Sequence, residues 1–175
     1  MSDREPAPGR LRLLEEFVNT RDIETSEDAI SFSNGLTSWL GAHGYGPSTD
    51  VPRAAAAREG LRALLAANAG LPCDQAAIDA LNASFAPVSV RLEPARARLS
   101  ASGDGLDALL ADIFQAAVEA MADGSWPRLK VCRSDDCRWA FYDRSKNRSG
   151  AWCTMAVCGS RTKVRAYRER QAGRA

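Results

Sequence analysis

The sequence has no apolar run of about 18 residues, the length that a membrane-spanning helix requires. Residues 1–17 contain acids, arginines and prolines where a secretory signal would need an apolar stretch. We therefore expect a soluble, cytoplasmic protein. With 175 residues and 45% hydrophobic content, the chain is long enough for one domain with a buried core, or for one domain and a small module.

Catalytic motifs are also missing. The sequence contains no phosphate-binding loop, nucleophile elbow or dinucleotide-binding fingerprint. Its only histidine, His43, stands among glycines in GAHGYG, with no cysteine or acidic motif at ligand spacing nearby. A histidine in such a position is typical of a loop or a helix end, and we expect the protein not to be an enzyme.

The net charge of +1 conceals two parts of opposite sign. Residues 1–125, called the body, carry 10 Lys and Arg against 18 Asp and Glu, whereas residues 126–175, called the tail, carry 13 against 4. A basic segment joined to an acidic one is typical of anion binding, most often to nucleic acid. The alternative is a solvated charged surface, or a tail docked on the acidic body of the same chain.

Four of the five cysteines lie in the tail, as the pairs Cys132-x4-Cys137 and Cys153-x4-Cys158. Thiols stay reduced in the cytoplasm, so paired spacing favours a metal over a disulfide. Neither pair has the C-x-x-C spacing of thioredoxin-like proteins. Four thiolates suit one structural Zn²⁺, which we predict here. The isolated Cys73 is expected to be a small buried side chain.

Hydrophobic spacing predicts mainly helices in the body. They are indicated at residues 13–18, from Thr25 or Ser26 to Gly41 or Gly44, at 54–65 behind Pro52, and at 78–85 behind Asp74. The pattern then alternates through Val88, Val90 and Leu92 and, after a turn at Pro94, reaches Leu99, which predicts a short β-hairpin. Residues 106–121 follow as the clearest amphipathic helix of the chain.

The stretch Gly124-Ser125-Trp126-Pro127 ends this helix and marks the predicted boundary between two domains. We predict an α+β fold: a mainly helical, acidic N-terminal domain at 1–125 with a short β-hairpin, followed by a small basic zinc finger at 126–175.

The order of motifs in the tail predicts a treble-clef-like finger. RSDD, between the first two cysteines, predicts a polar knuckle; RWAFYDRS predicts a strand, KNRSG its turn, and TKVRAYRER a helix after Cys158. Cys153 is expected before this helix, since two ligands five positions apart lie poorly on one helical face. Trp139 and Tyr142 are expected in the small core beneath the metal.

Two stretches of the tail, RLKVCRSDDCRWAFYDRSKNRSGAWC and WCTMAVCGSRTKVRAYRER, resemble the CGNR-type zinc finger. That finger typically follows an ABATE domain, and FVNTRD at 17–22 and the helix before the boundary are similar to that domain. The resemblance covers essentially the whole chain and implies a stress-related transcriptional regulator with a DNA-binding finger and a sensing domain. Ser160 stands where the family has asparagine, and its small hydrogen-bonding side chain still suits a cap or turn.

The predicted nucleic-acid-binding residues are the cations of the tail. They are Arg144, Lys146 and Arg148 in the expected hairpin turn, and Arg161, Lys163, Arg165, Arg168 and Arg170 on the helix. Cations suffice for phosphate contact, whereas base recognition needs side chains aimed into a groove. The residues leave RNA or an acidic protein open as partners, and the resemblance favours duplex DNA.

Asn19, Thr20 and Arg21, followed by Asp22, form the one polar cluster of the body that could line a pocket. They are the candidate binding residues for a small-molecule effector. The alternative is a helix C-terminus at which the asparagine and threonine side chains satisfy free backbone groups.

Overall fold

The computed structural model describes residues 4–85, 90–93, 96–99, 103–164 and 171. The elements in chain order are α1 (Leu11–Val18), α2 (Ser33–Ala42), α3 (Val51–Asn68), α4 (Gln75–Ser84), β1 (Val90–Glu93), β2 (Arg96–Leu99), α5 (Gly105–Ala122), a 3₁₀ turn (Trp126–Arg128), β3 (Leu129–Val131), β4 (Ala140–Tyr142) and a π-helical turn (Met155–Gly159). The turn continues into α-helical residues 160–164, called the final helix. No helix among the described residues is long and apolar enough to cross a bilayer.

The strands form two antiparallel hairpins. In the first, Val90 is paired with Leu99 and Glu93 with Arg96; in the second, Leu129 is paired with Tyr142. The predicted α+β fold, mainly helical with a hairpin and followed by a cysteine cluster, is confirmed. Val88 and the hairpin turn at Pro94 lie outside the described residues.

Helix α3 is the centre of the body and packs against α1, α4 and β3. Asp50 caps it by accepting a hydrogen bond from the Arg53 N–H group, and Pro52 lies in its first turn. Gly60 permits the close approach of α4, because a Cβ atom at this position would lie 2.4 Å from the Cβ atom of Leu81. The apolar side chains that α3 buries are Ala54, Ala57, Leu61, Ala63 and Leu65.

Side chains from the tail complete the core of the body. The hydrophobic cluster that contains residues of α1, α3 and α5 also contains Trp126, Leu129, Val131, Ala140 and Tyr142. The β3–β4 hairpin is therefore part of the body's core. Tyr142 packs there, and not in the smaller cluster around the cysteines where the sequence analysis expected it.

Arg58 is the largest fully buried side chain among the described residues. Its guanidinium donates hydrogen bonds to both carboxylate oxygens of Asp28, over 2.7 and 2.8 Å, and to the Thr20 hydroxyl oxygen over 3.2 Å. Burial alone would raise the pKa of Asp28, but the hydrogen bonds from Arg58 and from the Ile30 N–H group outweigh it and lower that pKa. This ion pair ties the segment before α2 to α3.

Helix α2 begins later than predicted. The expected start at Thr25 or Ser26 is wrong, since the helix begins at Ser33. The preceding residues form a turn closed by an antiparallel bridge between Arg21 and Asp28, with Ser26 at a φ of 63°. Because Asp28 is bound by α3, the serine and acids do not cap a helix here.

Two expectations about apolar side chains are also corrected. Cys73 is exposed, because it lies in the link between α3 and α4, which runs over the surface. On α5, Phe114, Val118 and Met121 are exposed, although they continue the predicted apolar face. The smaller side chains Ala111, Ala116 and Ala120 are buried there.

Replacing Arg58 with alanine should lower the free energy of unfolding by about 3 kcal/mol, because Asp28 and Thr20 lose their buried donor. Urea unfolding at neutral pH measures this. Arg12→Ala is the control, since Arg12 forms an exposed ion pair with Glu16 four residues away, and the free energy of unfolding of this variant should stay close to that of the wild type. Equal losses in the two variants would contradict the assignment.

Candidate metal centre and nucleic-acid interface

The first cysteine pair lies on the turn of the β3–β4 hairpin. The Cys132 N–H group donates to the Trp139 carbonyl over 2.9 Å, which continues the strand pairing. The N–H groups of Cys137 and Arg138 both donate to the Ser134 carbonyl over 3.1 Å, and Arg138 has a φ of 51°. This turn, called the knuckle (residues 132–138), brings the two thiols together.

The second pair comes from a loop and a π-helical turn. Cys153 precedes Thr154, whose side chain caps the turn Met155–Gly159, and Cys158 lies inside that turn. Cys153 thus precedes the helix, as expected. A π-helical turn is wider than an α-helical one, which allows two ligands five positions apart to approach the same point.

The four sulfur atoms form a compact buried set, called the sulfur set (Cys132, Cys137, Cys153 and Cys158). The Sγ atoms all lie within 4.8 Å of one another. The Sγ atom of Cys153 is 3.6 Å from those of Cys137 and Cys158. A tetrahedral Zn²⁺ with Zn–S bonds of about 2.3 Å requires sulfur atoms roughly 3.8 Å apart. The set is consistent with one structural zinc.

The electrostatics of the sulfur set also favour a bound cation. Hydrogen bonds from Cys137 and Cys153 lower the pKa of Cys132. Hydrogen bonding to Cys132 in turn raises the pKa values of Cys137 and Cys153, and burial raises that of Cys158. Four negative charges cannot share this small volume without compensation. A dication would supply it and let all four cysteines bind as thiolates.

Aromatic side chains surround the sulfur set. Phe141 is fully buried against the cysteines, and Trp139 and Trp152 are partly buried beside them. The Arg4 guanidinium lies 4.6 Å from the centroid of the Phe141 ring and donates hydrogen bonds over 2.9 Å to the carbonyls of Trp152 and Cys153. Trp139 thus packs against the sulfur set, as expected, although it is only partly buried.

Family models match both parts of the chain. Residues 128–171 match the model of the CGNR zinc finger. Residues 11–124, well over half of the chain, match the ABATE model, whose description is "Putative stress-induced transcription regulator". The chain belongs to the ABATE family. The predicted architecture, an ABATE domain followed by a CGNR finger, is confirmed.

The two families are regulatory and zinc-finger types rather than enzymes. No curated protein is significantly similar to the chain. Together with the sulfur set, the CGNR match supports a structural rather than a catalytic metal, because four sulfur ligands leave no open coordination position.

Ser160, the departure from the CGNR tetrad, lies at the start of the final helix. Its hydroxyl donates to the Met155 carbonyl over 3.2 Å, and the Thr162 hydroxyl donates to the Cys158 carbonyl over 3.0 Å. The serine satisfies a carbonyl of the π-helical turn, as a cap or turn residue would.

Two of the predicted nucleic-acid-binding cations are paired with acids. Arg161 lies 2.6 Å from the Glu24 carboxylate, and Arg144 lies 3.1 Å from the Glu5 carboxylate. Arg144 also donates to the Pro6 carbonyl over 2.8 Å. Both cations therefore contact acidic residues of the body.

The remaining predicted cations fall into two groups. Lys146, Arg148 and Lys163 are exposed, and their side chains form no hydrogen bond or ion pair with any residue in the described part of the chain. Arg165, Arg168 and Arg170 lie outside the described residues. The described free cations thus come from the loop before Cys153 and from the final helix.

A buried ion pair holds the basic loop, residues 144–150. The Lys130 ammonium donates to the Asp143 carboxylate over 2.8 Å and also to the carbonyl of Arg148, and Asp143 accepts from the Gly150 N–H group over 2.7 Å. Burial raises the pKa of Asp143, but these hydrogen bonds outweigh it and hold the pKa well below its usual range. The prediction of this loop as the hairpin turn is wrong, because the knuckle is that turn.

The side chains of Asn19, Thr20 and Arg21 make structural contacts. Asn19 pairs with the backbone of Ala140 in β4, donating to its carbonyl over 3.0 Å and accepting from its N–H group over 2.8 Å. The Thr20 hydroxyl donates to a carbonyl near the end of α1. Arg21 lies 3.7 Å from the Glu59 carboxylate. Asn19 therefore links the body directly to the tail.

An open groove of about 1300 Å³ lies beside these residues. Asn19 and Thr20 line it, whereas Arg21 is not among its lining residues. Trp39 and His43 of the α2 region also line it, as does Trp139 of the tail. His43 stacks on Trp39 with ring centroids 3.9 Å apart, at the helix end where the sequence analysis expected it. A ligand in this groove would touch both body and tail.

The residues that dock the tail on α3 were not predicted from the sequence. Arg62, which is buried, donates to the Arg138 carbonyl of the knuckle over 2.9 Å and to the Val18 carbonyl over 2.7 Å. The Asn68 amide donates to the carbonyls of Trp126 and Leu129. The sequence did contain one indication of this role. Arg62 lies four residues after Arg58, on the same side of α3 and next to its apolar stripe.

The purified protein should contain about one Zn²⁺ per chain, and Cys153→Ser should lose it, because the tetrahedral set then lacks a ligand. Elemental analysis of reduced protein is the measurement. Cys73→Ser, which removes an exposed thiol outside the sulfur set, should retain the metal. Full zinc content in Cys153→Ser, or none in the wild type, would contradict the prediction.

Replacing Asp143 with asparagine should lower the free energy of unfolding by about 3 kcal/mol at neutral pH, since Lys130 stays buried without its counter-charge. Because folding lowers the pKa of Asp143, its stabilising effect is present above the unfolded pKa of about 4 and is lost as the pH falls through the folded value. Urea unfolding across acid pH should show the wild type approaching the variant. A constant difference would contradict this.

Proposed function

We propose that the chain regulates transcription by binding duplex DNA through its tail, with the body as an effector-sensing domain. The observation that carries the proposal is the position of the free cations relative to the sulfur set. The basic loop precedes Cys153 directly, and the final helix begins two residues after Cys158. A metal in the set would therefore hold both cationic segments in one small unit.

In this proposal Cys132, Cys137, Cys153 and Cys158 hold one structural Zn²⁺. Bound there, the metal supplies charge compensation and cross-linking and no catalysis. We further propose that residues 1–125 and 126–175 are the functional units, the first for sensing and the second for DNA binding, although they share a hydrophobic core.

Phosphate contact is assigned to the cations of the tail. Lys146, Arg148 and Lys163 are the described members with free side chains. From the sequence, Arg165, Arg168 and Arg170 are proposed to contact phosphate as well. The body carries a net charge of −8 from its 10 basic and 18 acidic residues, so it repels DNA. This division favours a binding surface confined to the tail.

The second candidate is an interaction module that binds RNA or an acidic protein. The second candidate is favoured because exposed cations can bind any polyanion. Recognition of DNA sequence also needs side chains aimed at base edges, and no described side chain is assigned that role. Competition distinguishes the candidates. Unlabelled duplex DNA should displace a labelled duplex from the protein at lower concentration than RNA or an acidic protein does; the reverse order would favour the second candidate.

The groove is the proposed effector site. The contact of Asn19 with β4 supports this assignment, since a ligand beside Asn19 would act on the link between body and tail. Ala29 lines the groove and is exposed, so Ala29→Trp should fill it. An effector should raise the unfolding temperature of the wild type and not of this variant; equal shifts would place its site elsewhere.

Affinity for DNA should depend on both charge and metal. In a salt titration, Lys146→Gln with Arg148→Gln should flatten the log–log slope by about 0.9 for each lost phosphate contact. Chelation should weaken binding further without removing any cation. Without the metal, Cys158 and the final helix that follows it are no longer cross-linked to the other three cysteines. Fluorescence anisotropy of a labelled duplex is the measurement.

The matched control replaces Arg10 and Arg12 with glutamine, which removes the same charge from exposed positions of the body. Its slope should equal that of the wild type. If the control flattens the slope as much as the tail variant, or if chelation leaves the affinity unchanged, the tail is not the metal-dependent binding surface.

A further inference from the structure

We propose that an acidic segment of the body competes with nucleic acid for the first turn of the final helix. This inference rests on the proposed DNA binding. The segment is residues 22–28, and its Glu24 carboxylate accepts a hydrogen bond from Arg161 over 2.6 Å, across 137 residues of sequence. The tail is thus partly docked on the acidic body through Arg161, which belongs to the final helix, the proposed DNA-binding helix of the tail.

The acidic segment is held rigidly enough to act as a fixed anion. The Asp22 carboxylate accepts from the N–H groups of Glu24 and Thr25, over 2.8 and 3.2 Å. At the other end, Asp28 is bound by the buried Arg58 over 2.7 and 2.8 Å. Glu24 is therefore presented to the final helix with little further loss of backbone entropy.

The backbone position of Arg161 is set by the neighbouring sulfur set. Arg161 follows Cys158 by three residues, and the first turn is stabilised by the bond from the Thr162 hydroxyl to the Cys158 carbonyl. The side chains of Arg161 and Glu24 are nevertheless 59% and 40% exposed. An exposed ion pair is weak in water, so an incoming phosphate can exchange with it.

The chemistry of the segment matches that of a phosphate backbone. Residues 22–28 contain four acids, Asp22, Glu24, Glu27 and Asp28, and no cation. A guanidinium binds carboxylate and phosphate through the same planar arrangement of N–H donors. DNA that contacts Arg161 must therefore displace Glu24, and each binding event exchanges one ion pair for another.

Two substitutions of equal charge separate this competition from general electrostatics. Glu24→Gln removes the partner of Arg161. Glu27→Gln removes the same charge from the same segment, and the Glu27 side chain is exposed and pairs with no other described side chain. In anisotropy titrations at physiological salt, Glu24→Gln should bind a labelled duplex about two- to fivefold more tightly than the wild type, and Glu27→Gln should change affinity less.

The salt dependence gives a second measurement. In the Glu24→Gln variant, Arg161 has no carboxylate to give up, so its contact with phosphate releases one more counterion from the DNA. The slope of log affinity against log salt concentration should therefore steepen by about 0.9. In an Arg161→Gln background, Glu24→Gln should bring no gain. Zinc content and thermal unfolding should match those of the wild type, since both substitutions lie on the surface.

The outcomes that overturn the inference differ from those that overturn DNA binding. Equal gains in Glu24→Gln and Glu27→Gln, or a gain that persists in the Arg161→Gln background, overturn the competition alone. A wild type and a Glu24→Gln variant that both fail to bind duplex at low salt overturn DNA binding, and the competition with it.

Discussion

The guanidinium of Arg62 joins the end of α1 to the knuckle, and the placement of the tail depends on this contact. Its donors reach the carbonyls of Val18 and Arg138 over 2.7 and 2.9 Å. Burial lowers the pKa of Arg62, while the carboxylate of Glu59 raises it, and an arginine stays charged in either case. A buried guanidinium must satisfy its N–H groups, so it favours one arrangement of these segments.

Besides these hydrogen bonds, two further sets of interactions hold the tail, and they act on different residues. Hydrophobic packing holds the β3–β4 hairpin to the body, while the sulfur set holds the residues from Cys153 onward to that hairpin. Metal loss should therefore release the final helix first. The acidic segment 22–28 connects the body to the final helix. Four of its residues line the groove, Asp28 is bound by Arg58, and Glu24 is bound by Arg161. An effector in the groove would contact Asp22 and Thr25, on either side of the Glu24 that pairs with Arg161.

Patterns that depend on nearby residues could be predicted from the sequence. The cap at Asp74, the helices behind Pro52 and Asp74, and the paired cysteines follow local rules of spacing and chemistry. The start of α2 was missed because a distant arginine binds Asp28 and overrides a local capping pattern. The docking roles of Asn19 and Arg62 were missed for the same reason, since their partners lie in the tail, 121 and 76 residues away. Arg58 lies four residues after Ala54, within the buried stripe, and that position could have indicated its burial.

The sharing of one core by the body and the β3–β4 hairpin has a consequence for biosynthesis. Leu129, Val131, Ala140 and Tyr142 cover apolar surface of helices that the ribosome completes earlier. At roughly 5–20 residues per second, translation needs about one to three seconds to pass from residue 125 to residue 142. During that interval the nascent helices cannot bury their full apolar surface, and such transiently exposed surface favours aggregation. The cysteines at 153 and 158 emerge later still, so the sulfur set can be completed only after the hairpin residues have been synthesised.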